Sequence, residues 1–166
     1  MTIAEIMEKM IVFSQGNQHD MDHFIRVWTY ARTIGKLEGL DECTQFILEA
    51  AAIVHDIACP LCREKYGNTN GRNQKKEGVG LTQAFFAGTD VPEAWRERIA
   101  FLVGHHHTLR DIAGLDWQIL VEADYIANAL ENGYPEANIK NVMETIMKAS
   151  SRKRLCRKVT GKEGQA

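Results

Sequence analysis

The adjacent residues His55 and Asp56 follow an apolar stretch, residues 50–54, in which every side chain is Ala, Ile or Val. Polar groups in such surroundings are unfavourable unless they are satisfied. A neutral imidazole and a carboxylate are good ligands for a divalent transition metal, and near a helix end both can reach one cation. A buried, hydrogen-bonded His–Asp pair at a helix C-terminus is the alternative. The dipeptide alone does not decide between the two interpretations.

A second polar cluster comprises His19, Asp20 and His23. His19 and His23 are four residues apart, so they share one face if their helix starts early enough. Arg26 lies one turn beyond His23, where its guanidinium can hold a carboxylate or a substrate phosphate. An exposed polar first turn is the alternative interpretation.

Three consecutive histidines, His105, His106 and His107, form the third cluster. Successive helical residues point about 100° apart, so at most two of these rings can face one site. The alternative is a chance run of histidines at a helix C-terminus, where the helix dipole favours them.

The fourth cluster comprises Glu122 and Asp124, which lie in an otherwise apolar helical segment and face different ways. Asp124 is one turn from Leu120 and from Ala127, on the buried side. A carboxylate on the buried side of a helix requires a partner; a salt-bridged surface residue is the alternative. Together the four clusters predict imidazoles and carboxylates that converge from four separate helices. Metal sites in the cores of helical bundles are assembled in this way.

The helices that must position these clusters are predicted from apolar periodicity near 3.6 residues and from capping residues. Thr2 and Glu5 predict a capping box, and Asp41 predicts an N-cap. No strand alternation appears over any useful length. We therefore predict an all-α, single-domain bundle of six to seven helices over residues 1–150, followed by a basic, partly disordered tail over residues 151–166. The predicted helices cover approximately residues 2–16, 20–38, 41–57, 81–86, 92–106, 117–131 and 135–150.

The polar segment over residues 58–80 predicts a loop, and its length suggests a function. Its cations Arg72, Lys75 and Lys76 are predicted to bind a substrate phosphate if the loop covers the site as a lid. A surface loop that packs on the bundle is the alternative.

Cys59 and Cys62 in the same segment form a C-x-x-C pattern. This pattern occurs in redox pairs and in zinc sites. The βαβ pattern typical of redox pairs and a second C-x-x-C are both absent from the sequence. We interpret the two cysteines as structural thiols.

Overall composition restricts the classes of partner. The 166 residues include 20 basic and 22 acidic side chains, a net charge of −2, so there is no strong nucleic-acid signal. We find no signal-peptide pattern and no apolar run near the roughly 20 residues that a membrane span needs. We expect the four cysteines to be thiols. The sequence thus predicts a cytoplasmic protein, monomeric or homodimeric, with no membrane partner.

The order of His23, the dipeptide His55-Asp56 and Asp124 resembles the His…His-Asp…Asp signature of the HD-domain superfamily of metal-dependent phosphohydrolases. The resemblance extends over roughly residues 6–131. It implies an HD-type helical fold in which these four side chains hold a metal ion. Three surrounding stretches match as well, residues 23–27, 51–57 and 121–126.

Relatives that bind a second metal have additional ligands between the dipeptide and the final Asp. These ligands are usually histidines, and one or two of His105, His106 and His107 are the candidates here. The usual histidine between Asp56 and His105 is missing, and Glu77 is the candidate to replace it by its position. Many relatives also carry a lysine at the position of Cys59.

The function implied by the resemblance is hydrolysis of a nucleotide or another small phosphoester by a metal-activated water. One or two divalent ions of Fe, Mn, Co, Ni or Zn would serve. Asp56 would bridge two ions, and Arg26 would neutralise phosphate charge. Two alternatives stay open at this stage: a di-iron oxygenase, and a catalytically inactive regulator that binds metal or nucleotide.

Overall fold

The computed structural model describes residues 1–148 and 150–161, and this part of the chain is helical with no strand. The predicted all-α class is confirmed, while the number of helices in the described part, nine, exceeds the predicted six to seven. The helices are α1 (Ile3–Phe13), α2 (Gln18–Leu37), α3 (Glu42–Val54), α4 (Cys59–Tyr66), α5 (Gly71–Phe86), α6 (Glu93–His105), α7 (Leu115–Glu131), α8 (Glu136–Thr145) and α9 (Ser150–Thr160).

Helix α3 lies at the centre of the bundle, in contact with α1, α2, α6 and α7. Its second half is buried on every side, as expected for a helix whose residues are apolar nearly all round. Leu48 and Ile53 are fully buried, as are Phe24 of α2 and Leu120 of α7. Each such side chain contributes about 1.5–3 kcal/mol through removal from water. The core therefore fixes how α2, α3 and α7 approach one another.

Capping residues set several helix starts as predicted. The capping box of Thr2 and Glu5 is present, and Asp41 caps α3 by accepting a hydrogen bond from the Thr44 backbone N–H at 3.0 Å. Helix α2 begins earlier than predicted, because the Asn17 side chain accepts from the backbone N–H of Asp20 at 3.1 Å.

The loop predicted over residues 58–80 is wrong, because most of this segment folds as α4 and α5. Pro60 lies in the first turn of α4, where its missing N–H leaves no helical hydrogen bond unmade. Gly67 ends α4 in the left-handed conformation, with φ of 69°. Asn70 then caps α5 by accepting from the Asn73 N–H at 3.0 Å. The short helix predicted over residues 81–86 is the end of α5.

Glycines allow α5 and α6 to approach closely. A Cβ at Gly104 of α6 would lie 2.7 Å from Cγ2 of Val79, and one at Gly78 of α5 would lie 3.1 Å from Cγ1 of Val103. Both distances are shorter than carbon atoms tolerate without a shift. Helix α5 is thus packed against α6, which agrees with the alternative of a segment that packs on the bundle and not with a lid.

Helix α9 falls within the stretch that was predicted to be a basic, partly disordered tail. Helix α9 contacts α7 and α2, and its Cys156 is fully buried. Residues 162–166 of the predicted tail lie outside the described residues. The stretch Glu42–Tyr66 is long and apolar enough to cross a membrane by composition, but 78% of its most apolar window is buried inside the protein, as in a core helix.

Candidate metal centre

Three helices bring four side chains to one point. His23 comes from the first half of α2, His55 and Asp56 from the end of α3, and Asp124 from the middle of α7. The Nε2 atoms of His23 and His55 are 3.2 Å apart. Oδ1 of Asp124 lies 3.2 Å from Nε2 of His23 and 3.6 Å from that of His55. Oδ2 of Asp56 lies 3.6 Å from both nitrogens. The predicted convergence of these four residues is present.

A second group shares Asp56. Its other members are His106 and His107, and the ligand atoms of the three residues lie within 4.8 Å of one another. Nε2 of His106 is 3.5 Å from Oδ1 of Asp56, whereas Oδ2 of Asp56 faces His23 and His55. The two oxygens of one carboxylate therefore face two separate sets of imidazoles.

Hydrogen bonds at Nδ1 fix the orientation of three rings. His55 donates from Nδ1 to the carbonyl of Ala52 at 2.8 Å, and His106 donates to the carbonyl of Val103 at 2.7 Å. Nδ1 of His23 lies 2.8 Å from Oε2 of Glu131. We infer from these acceptors that the proton of each neutral ring is on Nδ1. The Nε2 lone pairs are then left to face carboxylates.

A lone pair that faces a carboxylate requires a cation between them. Nε2 of His106 shows this most clearly, since its side chain is 1% exposed and that atom has no hydrogen-bond partner in the described part of the chain. Imidazole nitrogens and carboxylate oxygens together suit a divalent transition metal. The residues present therefore fit such an ion at His23, His55, Asp56 and Asp124, and the shared Asp56 with His106 fits a second.

In the metal-free protein, protons on the imidazole rings supply the positive charge that faces the carboxylates. Burial opposes protonation of His23, but its hydrogen bond to Asp124 and the charges of Asp56, Asp124 and Glu131 outweigh burial and raise its pKa to about 9. Burial likewise favours the neutral acids, yet the charge of His55 lowers the pKa of Asp56, and hydrogen bonds from His23 and His55 hold the pKa of Asp124 well below its usual range. Burial and the charge of His106 lower the pKa of His107 to about 4.

His105 and Glu77 were predicted as additional ligands, but the structure does not bring them into either group. The His105 ring stacks on Phe101 with centroids 4.1 Å apart, and its Nδ1 donates to the Phe101 carbonyl at 2.7 Å. Glu77 accepts from the Tyr66 hydroxyl at 2.5 Å and from Lys65 Nζ at 3.0 Å. Both side chains are thus held by neighbours outside the cluster.

The predicted phosphate-binding cations lie on helical surfaces. Arg72, Lys75 and Lys76 are exposed on α5, and Lys76 Nζ lies 5.6 Å from the centroid of the Tyr66 ring. Arg26 is 46% exposed, and its Nη1 donates to Oε1 of Glu131 at 3.1 Å. His19 is exposed and belongs to neither group.

Two residues that sequence reasoning missed orient the predicted ligands. Glu131 accepts from His23, and its side chain is 11% exposed. Asn128 donates from Nδ2 to Oδ1 of Asp124 at 2.7 Å. Asp124, Asn128 and Glu131 have the spacing i, i+4, i+7, which places them on one face of α7. This spacing is the sequence signal by which they could have been found.

A cavity of about 430 Å³ adjoins the cluster. Asp124, His106 and His107 belong to its wall, and the remaining lining comes mainly from α7, α8 and the segment between them. The other lining residues are Leu109, Val121, Tyr125, Asn128, Tyr134, Asn138, Val142 and Ile146.

The thiol of Cys59 lies beside the site. Cys59 is 5% exposed, and burial followed by the nearby charge of Asp56 raises the pKa of its thiol. Cys62 is fully buried. All four cysteines are free thiols, as predicted.

Comparison with known proteins gives two matches. The family model described as HD domain matches residues 21–147. The fold is similar to the crystal structure of a predicted HD superfamily hydrolase from an uncultured Thermotogales bacterium, with a TM-score of 0.70 and 18% sequence identity. That match covers 95% of this chain and 84% of the other. No curated protein matches the sequence.

Proposed function

Because the chain belongs to the HD-domain family, and because its four signature side chains meet at one point, we propose that it is a metal-dependent phosphohydrolase of small phosphoesters. Membership confirms the resemblance seen in the sequence. The observation that carries the proposal is the set of imidazole Nε2 atoms facing the carboxylates of Asp56 and Asp124. This arrangement is suited to a cation.

In this proposal His23, His55, Asp56 and Asp124 hold the metal. A divalent ion there would polarise a phosphoryl oxygen and lower the pKa of a bound water. The residues around the ligands keep them in place: Glu131 orients the ring of His23. Such outer partners typically change metal affinity about 10–100-fold when they are removed.

The proposed role of Arg26 changes in the light of its contacts. Its guanidinium is bonded to Glu131, which in turn bonds His23. We therefore assign Arg26 to the positioning of Glu131, while the cations of α5 lie on an exposed face of that helix. The cytoplasmic location and a monomeric or homodimeric state stay predictions from the sequence.

The experiment compares Asp56→Ala with the control Asp22→Ala. Asp22 is an exposed neighbour of His23 whose carboxylate accepts from Gln18 at 2.9 Å. Both variants and the wild type are purified with Mn²⁺, Co²⁺, Fe²⁺ or Ni²⁺, analysed for metal content and assayed on nucleotides and phosphomonoesters. We expect Asp56→Ala to lose metal and phosphate release, and Asp22→Ala to keep both.

Wild-type metal content and turnover in Asp56→Ala would contradict the proposal. The same preparations separate the two alternatives. Oxygen uptake with an iron-loaded protein and no phosphate release would indicate an oxygenase. Tight nucleotide binding without turnover for every metal would indicate a regulator.

A further inference from the structure

In the described part of the chain, the wall of the cavity lacks the cationic side chains that a bound polyphosphate requires. Among the described residues that line it, none is Lys or Arg, and Asp124 is the one carboxylate. The remaining lining consists of aliphatic side chains, two tyrosines, two asparagines and the two histidines of the cluster. A substrate group with several negative charges would therefore face this wall without a fixed counter-charge.

Three cations of α2 and α4 are already paired with carboxylates. Arg26 is bonded to Glu131, Arg63 to Asp20, and Lys65 to Glu77. Each of these pairs would have to break before its cation could neutralise a phosphate in the cavity. The two metal-ligand groups, in contrast, lie at the cavity wall through Asp124, His106 and His107. The structure thus offers charge neutralisation at one end of the cavity and an uncharged wall elsewhere.

The uncharged wall suits a flat ring. Tyr125 and Tyr134 have ring centroids 5.7 Å apart, and Val121, Val142 and Ile146 supply apolar surface near them. The Tyr125 hydroxyl donates to Oδ1 of Asn138 at 2.5 Å. That bond directs the amide, whose Nδ2 remains a donor for an acceptor atom on a ligand. A volume of about 430 Å³ is within the range of small-molecule sites, about 300–1,000 Å³.

We propose that the cavity binds the leaving group of the substrate, and that this group is an uncharged, ring-bearing alcohol esterified to a single phosphate. The inference rests on the proposed phosphohydrolase function and names its substrate class. Hydrolysis breaks the ester P–O bond and forms a new P–O bond to water. One water proton ends on the released alcohol, so the products are inorganic phosphate and the free alcohol. Asn138 and Tyr125 determine specificity for the ring.

The first experiment measures kcat/KM for four compounds with the metal-loaded protein. Thymidine 5′-monophosphate and 4-nitrophenyl phosphate represent the two sources of a ring-bearing alcohol, a nucleoside and an aryl alcohol. Glycerol phosphate has no ring, and thymidine 5′-triphosphate carries the additional charge. We expect at least one ring-bearing monoester to exceed both of the other compounds by tenfold or more. If neither ring-bearing monoester exceeds both of the other compounds by tenfold, the inference is overturned while the hydrolase function stays intact.

The second experiment introduces a charge into the wall. Asn138→Lys places an ammonium at the cavity, and Asn141→Lys places one on the same helix at an exposed position that does not line it. Asn138→Lys should raise the triphosphate-to-monophosphate ratio of kcat/KM about fivefold, the size expected of an exposed ion pair. Asn141→Lys should leave the ratio unchanged. Equal ratios in the two variants would count against the cavity as the leaving-group site.

The third experiment does not depend on catalysis. Binding of thymidine and of 2-naphthol to the metal-free protein is measured by calorimetry. The variant Val142→Lys places a long, charged side chain in the apolar wall of the cavity. Circular dichroism checks that this variant is folded. We expect one of the two alcohols to bind the wild type and to bind Val142→Lys at least tenfold more weakly. If no phosphoester is hydrolysed, the hydrolase proposal fails and this measurement alone decides the cavity. If neither alcohol bound the wild type, the inference would be overturned.

Discussion

Replacing Glu131 by Gln tests whether the cluster is a metal site that depends on its surroundings. The substitution keeps the shape of the side chain and removes the negative charge of the carboxylate. In the wild type, Oε2 of this carboxylate accepts a hydrogen bond from Nδ1 of His23 at 2.8 Å. A hydrogen bond to a charged group contributes about 1.5–3 kcal/mol and a neutral one about 0.5–1.5 kcal/mol. The glutamine oxygen can still accept from His23, so the loss is the difference, about 1–1.5 kcal/mol. Because 1.4 kcal/mol corresponds to a tenfold change in a binding constant, we expect Glu131→Gln to weaken metal binding about tenfold.

The neighbouring Arg26 provides a graded comparison. The Arg26 side chain is 46% exposed. An ion pair at such an exposed position contributes about 0–1 kcal/mol to stability. Arg26→Ala should therefore weaken metal binding by less than about fivefold. Glu97→Gln removes an acid of the same type from the exposed surface of α6 and serves as the matched control.

Calorimetric titration of each metal-free protein with Mn²⁺ or Co²⁺ gives the affinities. Thermal unfolding of the same samples shows whether the substitution acts on the fold. At saturating metal, Glu131→Gln should recover most of its phosphate release, since the direct ligands are retained. Binding of both metals by Glu131→Gln within twofold of the wild type, or a larger effect of Arg26→Ala, would refute the supporting role of Glu131.

Three further predictions concern protons, packing and thiols. Since the pKa of His23 in the metal-free protein is raised to about 9, its ring is protonated at pH 7 and a metal must displace that proton. The apparent metal affinity should rise about tenfold per pH unit between pH 7 and pH 9, with proton release measured by calorimetry in buffers of different ionisation enthalpy. Gly104→Ala should lower the free energy of unfolding by about 1–3 kcal/mol, because the new Cβ meets Val79 at 2.7 Å. Gly80→Ala, on a helix with nothing within 4 Å of the new atom, should raise it by about 0.5–1 kcal/mol, and denaturant titration measures both. A disulfide reagent should modify Cys43 quickly in the native protein and reach three cysteines only upon unfolding, namely Cys59, Cys62 and Cys156.

Clear outcomes would contradict each of these predictions. A metal affinity that is constant between pH 7 and pH 9 would show that no proton of His23 is displaced. Equal stability of the two alanine variants would show that α5 and α6 do not need the glycine contact. Rapid modification of more than one thiol in the native state would show that burial does not protect the others.

Local signals were sufficient for much of the helical framework. Caps are local interactions between residues three apart, so Thr2 with Glu5 and Asp41 were predicted correctly. The signals of α4 and α5 were local as well, a proline in the first turn, Gly67 at the end and Asn70 as a cap. The polar composition of residues 58–80 outweighed them in the prediction. What stabilises α5 there is contact with α6, which a reading of local composition does not contain.

The rotation of α6 about its axis explains which of the three histidine rings faces Asp56. Their sequence allowed any two of them to face one site. The ring of His105 is held by Phe101, and the backbone carbonyl of His105 accepts from the Trp117 indole at 3.1 Å. This packing turns His106 toward Asp56. Glu77 likewise accepts hydrogen bonds from Tyr66 and Lys65, which are 11 and 12 residues away along the chain. These bonds hold its carboxylate outside the metal cluster.

By itself, the sequence determined the all-α class and the candidate ligand set around His55 and Asp56. Those features depend on residue type, periodicity and order, all of which are visible in one dimension. The tertiary structure decided which imidazole faces which carboxylate oxygen, the supporting role of Glu131, and the cavity that has Asp124 in its wall and no Lys or Arg among its described lining residues. These depend on distances between helices that are remote in the chain, and those distances are set by the packing of the core.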